Sequence, residues 1–173
     1  MRLRAGAILA VLVHLSVTAP PAQADGGIRF DTPSGYPVPR FVSLKDEETN
    51  CRIGPSFDHP VRFVFKRAGA PVLIVAESVD HWRKLRDADG DECWVHQTTL
   101  NAQTHVLTRG ATSLKRRPDA GSDVSARLGD GVLARLIKRK DGWVSVSAGK
   151  AQGWVEAGAV WGGDPAATNA GRN

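Results

Sequence analysis

The chain has 173 residues, 42% of them hydrophobic and 6% aromatic, with a formal net charge of +5. That length fits one ordinary domain or two small ones, and so mild a charge does not argue for nucleic acid. The charge is uneven: residues 40–100 carry nine basic and ten acidic groups, residues 101–161 ten basic and five acidic, so the second half is the one that favours an anionic surface.

Arg2 and Arg4 precede an apolar run from Ala5 to Val17, broken by His14 and Ser16, and Ala22-Gln23-Ala24 follows. A positive start, an apolar centre and an A-x-A end are the parts of a cleavable signal peptide. A spanning helix needs about 20 apolar residues; this run is shorter, and Pro20-Pro21 stops it. No cysteine precedes Cys51, which argues against a lipid anchor. Residues 1–24 are therefore expected to be removed, with Asp25 first in a periplasmic or secreted protein and no integral membrane segment in the mature chain.

Residues 25–39 are rich in glycine and proline and read as a semi-extended linker. Within it, Tyr36-Pro37-Val38-Pro39-Arg40 has the composition of a polyproline II segment. Short strands are then predicted at Phe41–Leu44, Thr49–Ile53, Val61–Lys66, Val72–Glu77, Trp82–Arg86 and Glu92–His96, with Asp89-Gly90 as a hairpin turn. A second set follows at Val106–Arg109, Ser113–Lys115, Val124–Leu128, Val132–Lys138, Trp143–Ser147 and Gly153–Glu156, with a turn at Ala148-Gly149-Lys150. Residues 162–173 are small and polar and are expected to be disordered.

The two sets repeat one another. Thr49 to Pro55 lines up with Thr112 to Pro118, Trp82 with Trp143 and Trp94 with Trp154, at offsets drifting from 63 through 61 to 60 residues. No window sustains a helical period. The expected fold is all-β, two small barrels in tandem, with modules at 40–101 and 104–161.

Asn50-x-Arg52-x-Gly54-Pro55, then Trp82, then Cys93-Trp94-Val95, resembles the bacterial Src-homology-3 (SH3) domain of the exported tandem type. Pro39 to Leu44 and Trp94-Val95-His96-Gln97 extend the likeness. The second module keeps Gly153-Trp154-Val155 but has Arg116-Arg117-Pro118 in place of the Arg-x-Gly-Pro step, and Cys93 stands where the family pattern usually has glycine. The resemblance implies SH3-like barrels that recognise peptides or cell-wall fragments.

An even number of cysteines in an exported chain reads first as a disulfide, here Cys51 with Cys93. A reactive thiol or a metal site competes, but the histidines show no ligand spacing, and neither a metal nor any other cofactor is expected. Catalysis by a thiol with His96 would need a separate catalytic domain, for which no residues remain. Asp87 to Glu92 starts like a calcium loop, but its glycine is misplaced, so it reads as an acidic hairpin tip.

Strand alternation supplies candidate binding residues. Val144 and Val146 take the core side, which leaves Trp143 on the other face with Ser145 and Ser147; Trp82 falls opposite Leu85, and Trp94 and Trp154 opposite Val95 and Val155. Trp82, Trp94, Trp143 and Trp154 therefore line a ligand groove or pack against loops or the neighbouring module. The better groove is expected at Trp82 and Trp94, the module contact at Trp143 and Trp154. Lys115, Arg116, Arg117, Lys138, Arg139 and Lys140 form two basic runs, either a solvated face or a contact for anionic envelope material. The sequence thus points to a non-catalytic envelope protein that binds a peptide, a peptidoglycan fragment or an envelope protein. A structural subunit of an envelope complex and, more remotely, a wall hydrolase stand as alternatives. Nothing in the sequence fixes the oligomeric state.

Overall fold

The computed structural model describes residues 27–163; the expected signal peptide, its cleavage point and residues 164–173 lie outside them. Module one contains β1 (Arg40–Leu44), β2 (Thr49–Arg52), β3 (Val61–Phe65), β4 (Pro71–Glu77), β5 (Trp82–Arg86), β6 (Glu92–His96) and β7 (Leu100–Ala102). Module two contains β8 (His105–Thr108), β9 (Thr112–Lys115), β10 (Val124–Leu128), β11 (Leu133–Lys140), β12 (Trp143–Ala148), β13 (Ala151–Glu156) and β14 (Val160–Trp161). The strand orders are β3-β2-β6-β5-β4-β1-β7 and β10-β9-β13-β12-β11-β8-β14, one topology used twice. Even the β-bulges coincide: the register slips between Ile74 and Ala76 in β4 and between Leu136 and Lys138 in β11. A bulge bends and twists its strand, so each sheet curls around its own core in the same place.

The expected strands are present, and the valines take the faces that alternation assigned. Leu85, Val95 and Val144 are 0% exposed, and Val146 and Val155 are 1%. Asp141 and Gly142 link β11 to β12 with φ of 46° and 77°, the pair of positive values that lets a two-residue turn follow the strand twist. Strands β7 and β14 are additional to the sequence expectation. Each follows a single 3₁₀ turn, Gln97–Thr99 or Ala157–Ala159, and pairs with the first strand of its module.

The linker expected at 25–39 is, over its described part, a piece of module one. Arg29 and Val38 form a β-bridge, and Val38 is 1% exposed within the first core. The segment is pinned by Glu77. This side chain is 0% exposed, accepts from the Ser34 amide (3.0 Å) and hydroxyl (2.9 Å), and pairs with Arg40 (2.6 Å) and Arg83 (3.2 Å). Tyr36 is stacked by Arg40, whose guanidinium carbon lies 5.4 Å from the ring centre, so residues 36–40 do not stand free as a polyproline ligand. Chain termini with this composition often stay loose; a buried carboxylate that needs partners holds this one down.

Burial alone would raise the Glu77 carboxyl, but hydrogen bonds from Ser34 and Arg40, with the charge of Arg40, hold it below its usual value. Its folded pKa thus lies below its unfolded one of about 4.3. The stability it contributes is present above the unfolded value and is lost as pH falls through the folded one. Urea unfolding at pH 7 and pH 3 should show a larger acid loss for the native chain than for Glu77→Gln; equal losses would remove Glu77 from the acid response.

Only Gln103 and Thr104 separate β7 from β8, and the modules touch directly. Trp161 packs edge-on against Phe41 (4.9 Å between centroids) in a cluster with Leu73, and its indole N–H donates to the Pro71 carbonyl at 3.0 Å. The Thr104 amide donates to the Ser43 hydroxyl at 3.1 Å. Disorder was expected from Gly162 onward; instead Gly162 and Gly163 are buried, and their carbonyls accept from Arg139, each at 3.0 Å. Among the described residues no helix is long and apolar enough to cross a membrane.

Candidate binding site

The outer face of the β5–β6 hairpin carries the module-one candidates. Cross-strand partners are Trp82 with His96, Lys84 with Trp94 and Arg86 with Glu92, so one pleated face presents all six side chains. The groove expected at Trp82 is closed. Trp82 is 4% exposed because Phe57, from the loop after β2, lies 4.8 Å away edge-on, with His96 5.5 Å from both rings. Phe57 itself is 67% exposed and is the aromatic that solvent sees.

Residue chemistry explains the loop that delivers Phe57. The Arg52 guanidinium donates to the His59 carbonyl at 2.7 Å and lies 5.7 Å from the Phe57 ring centre. A Cβ on Gly54 would overlap the His59 imidazole, so the Arg-x-Gly step is needed for this loop to fold back. Module two lacks that glycine and that histidine. Lys115 nevertheless repeats the role of Arg52, its ammonium donating to the Ser122 carbonyl at 3.1 Å.

Trp94 and Trp154 remain half-buried on their outer faces. Trp94 lies opposite Lys84 and Arg52, Trp154 opposite Ser145 and Lys115. Their charge environments differ. Beside Trp94, Glu92 pairs with Lys84 and Arg86, each at 2.6 Å. Burial would raise this carboxyl, and Lys84 and Arg86 outweigh it to hold it below its usual value. The position of Glu92 is taken in module two by Gln152, and those of Lys84 and Arg86 by Ser145 and Ser147. Lys138 sits over the Trp154 ring with its nitrogen 5.2 Å from the centroid, a cation–π contact. Arg116, Ser125, Ser145, Gln152, Gly153 and Trp154 line a shallow cleft of about 420 Å³.

The six basic candidates therefore divide. Arg116 and Lys138 border the Trp154 shelf. Lys115 and Arg139 are committed to carbonyls of their own module. Arg117 and Lys140 are exposed elsewhere, Lys140 opposite the half-buried Trp143. The module contact expected at Trp143 and Trp154 is made instead by Trp161, which the tryptophan pattern did not single out because it follows β13 in a two-residue strand. Val160 beside it was the available signal; its other apolar neighbour, Leu107, is brought to it by the β14–β8 pairing. The cysteines meet as expected: Cys51 and Cys93 form a disulfide with Cα atoms 5.5 Å apart, inside the usual range.

Among the solved structures that show similarity are two from Trichomonas vaginalis. One is the structure of NlpC2 from Trichomonas vaginalis, 11% identical, covering 72% of this chain and 48% of that one at a TM-score of 0.34. The other is the structure of NlpC1 from Trichomonas vaginalis, 13% identical, covering 72% and 46% at 0.32. The chain thus spans about half the length of each, and superpositions this loose carry no argument. No curated protein matches the chain. The sequence profile of the bacterial SH3 domain matches twice, at residues 45–101 and 112–162, more than half of the chain, each match covering all but the first strand or so of one sheet. The chain belongs to the bacterial SH3 domain family and carries two copies of that domain in tandem.

Proposed function

We propose that this protein is a non-catalytic, periplasmic or secreted binding protein of the cell envelope, and that module two contacts anionic peptidoglycan through the Trp154 shelf. Bacterial SH3 domains are binding modules, which supports the general reading. The observation that carries the finer one is the difference between the two copies. Beside Trp94 the cations Lys84 and Arg86 are paired with Glu92, whereas beside Trp154 glutamine replaces that acid and Arg116 and Lys138 border the ring. A flat indole bordered by two cations suits a ring-shaped, carboxylate-bearing ligand such as a cell-wall saccharide. A second reading, a structural subunit of an envelope complex, is favoured by Ile53 and Phe57, 59% and 67% exposed on one loop of module one.

Co-sedimentation with purified peptidoglycan tests both. The native protein should pellet with the wall material. Arg116→Glu with Lys138→Glu, both exposed sites, should cut retention about tenfold or more, as should added salt, because exposed charges are screened. Absence of retention, or unchanged retention by the double variant, would overturn the proposal. Retention only in the presence of one partner protein would support the second reading. A cleared zone in a peptidoglycan zymogram would overturn the non-catalytic assignment.

A further inference from the structure

A different recess lies on module one, between the N-terminal segment and the strands it covers. It encloses about 720 Å³, and none of its lining residues is acidic. Arg40, His81, Arg83, Gln97, Asn101 and Gln103 supply its polar walls. The segment read from sequence as a linker thus builds one side of a site.

Arg83 is 4% exposed. Each of its guanidinium nitrogens is anchored: Nε on Glu77 at 3.2 Å, Nη1 on the Trp82 carbonyl at 3.1 Å, Nη2 on the Gln97 side-chain oxygen at 2.7 Å. Arg40 is held by Glu77 at 2.6 Å and by the Pro37 carbonyl at 3.0 Å. A guanidinium carries more N–H groups than these bonds use, so both arginines keep donors in hand. Glu77 fixes the two forks from behind. Its own side chain is 0% exposed, so it offers no oxygen at the recess surface, and two cations over one carboxylate leave the site net positive. Fixed guanidinium groups match a carboxylate in shape as well as charge, and their orientation is set before a ligand arrives, which lowers the entropy lost on binding. Asn101 lines the adjacent wall with an amide able to donate and accept, and Gln97, whose oxygen accepts from Arg83, keeps its N–H groups for a peptide carbonyl; the Gln103 amide is committed to the His105 and Gly162 carbonyls and to Arg139. Tyr36, 64% exposed, adds an aromatic lip.

We propose that this recess is a second ligand site, separate from the Trp154 shelf, that receives the free carboxylate end of a short peptide. Arg40 and Arg83 take the carboxylate, and Gln97 and Asn101 take the preceding peptide bond.

N-acetyl-trialanine, which has no charge except its terminal carboxylate, is the probe, with its C-terminal amide and glucuronate as comparators. Isothermal titration and amide chemical-shift mapping on the full chain are the readouts. The acid should bind at least tenfold more tightly than the amide and than glucuronate, with shifts centred on residues 97–103. Arg40→Gln should abolish that discrimination. Because it also disturbs Glu77, Asn101→Asp provides the independent check: it adds a negative charge at an exposed position and should weaken the acid at least tenfold more than it weakens the amide. Arg116→Glu with Lys138→Glu should leave trialanine binding intact, so this site stands or falls apart from the wall-binding proposal. Equal binding of acid and amide, no binding, glucuronate binding as tightly as the peptide, or shifts confined to module two would each overturn it.

Discussion

Trp161→Ala should convert one cooperative unfolding transition into two. The ring is 9% exposed and sits between the modules, with Phe41 on one side and the Arg109 guanidinium 4.4 Å from its centre. Truncating a buried tryptophan costs about 3–5 kcal/mol, and the Pro71 carbonyl loses its indole donor at the same time. Trp161 is held by Phe41, Leu73 and Pro71 of module one as well as by Leu107 and Arg109 of module two, so the loss falls on the coupling between the modules. Small domains of about 60 residues are marginal alone, and the less stable one should then unfold first. Urea unfolding followed by near-ultraviolet circular dichroism and by limited proteolysis is the measurement. A variant with the native midpoint and a single transition would show that Trp161 does not couple the modules.

Reduction of the Cys51–Cys93 disulfide should destabilise module one by about 4 kcal/mol and leave the module-two core untouched. The bond closes a loop of 42 residues in sequence, and a chain-entropy estimate for a loop that long is about 4 kcal/mol. Both cysteines are also core residues, 0% and 3% exposed. Module two fills the same two positions with Leu114 and Gly153. Leu114 is 0% exposed, and a Cβ on Gly153 would lie 2.8 Å from the Leu114 Cβ. One large and one absent side chain therefore occupy the space that two cysteines share. Cys51→Ser with Cys93→Ser should reproduce the loss seen on reduction. Cys51→Leu with Cys93→Gly should recover part of it by copying the packing of module two and should be indifferent to reductant. Denaturant midpoints with and without dithiothreitol decide this; a reduced protein as stable as the oxidised one would show that the bond adds nothing.

The sequence by itself determined the repeat, the strands and the direction each core side chain points. Those properties are local. Successive residues of a strand face opposite sides, so Val144, Val146, Val95 and Val155 could be placed without knowing any neighbour. The cysteine pairing was equally legible, because two cysteines allow one bond. Tertiary structure alone decided what covers each face. Trp82 was correctly put on the outer side of β5, yet Phe57 buries it from a loop whose course depends on Gly54 and His59. Residues 27–39 read as a tether because glycine and proline break periodicity, while the force that docks them comes from Glu77, a carboxylate at the end of β4 that must satisfy its charge once buried. Trp161 looked like the end of module two, and its partner Pro71 is 90 residues distant. Of the six basic residues, Arg116 and Lys138 border the Trp154 shelf, while Lys115, although opposite Trp154, is turned to the Ser122 carbonyl, a division that charge counting does not reveal. Period and composition act along the chain, whereas burial and charge pairing act across it. The recess over Glu77 is made entirely of contacts of the second kind.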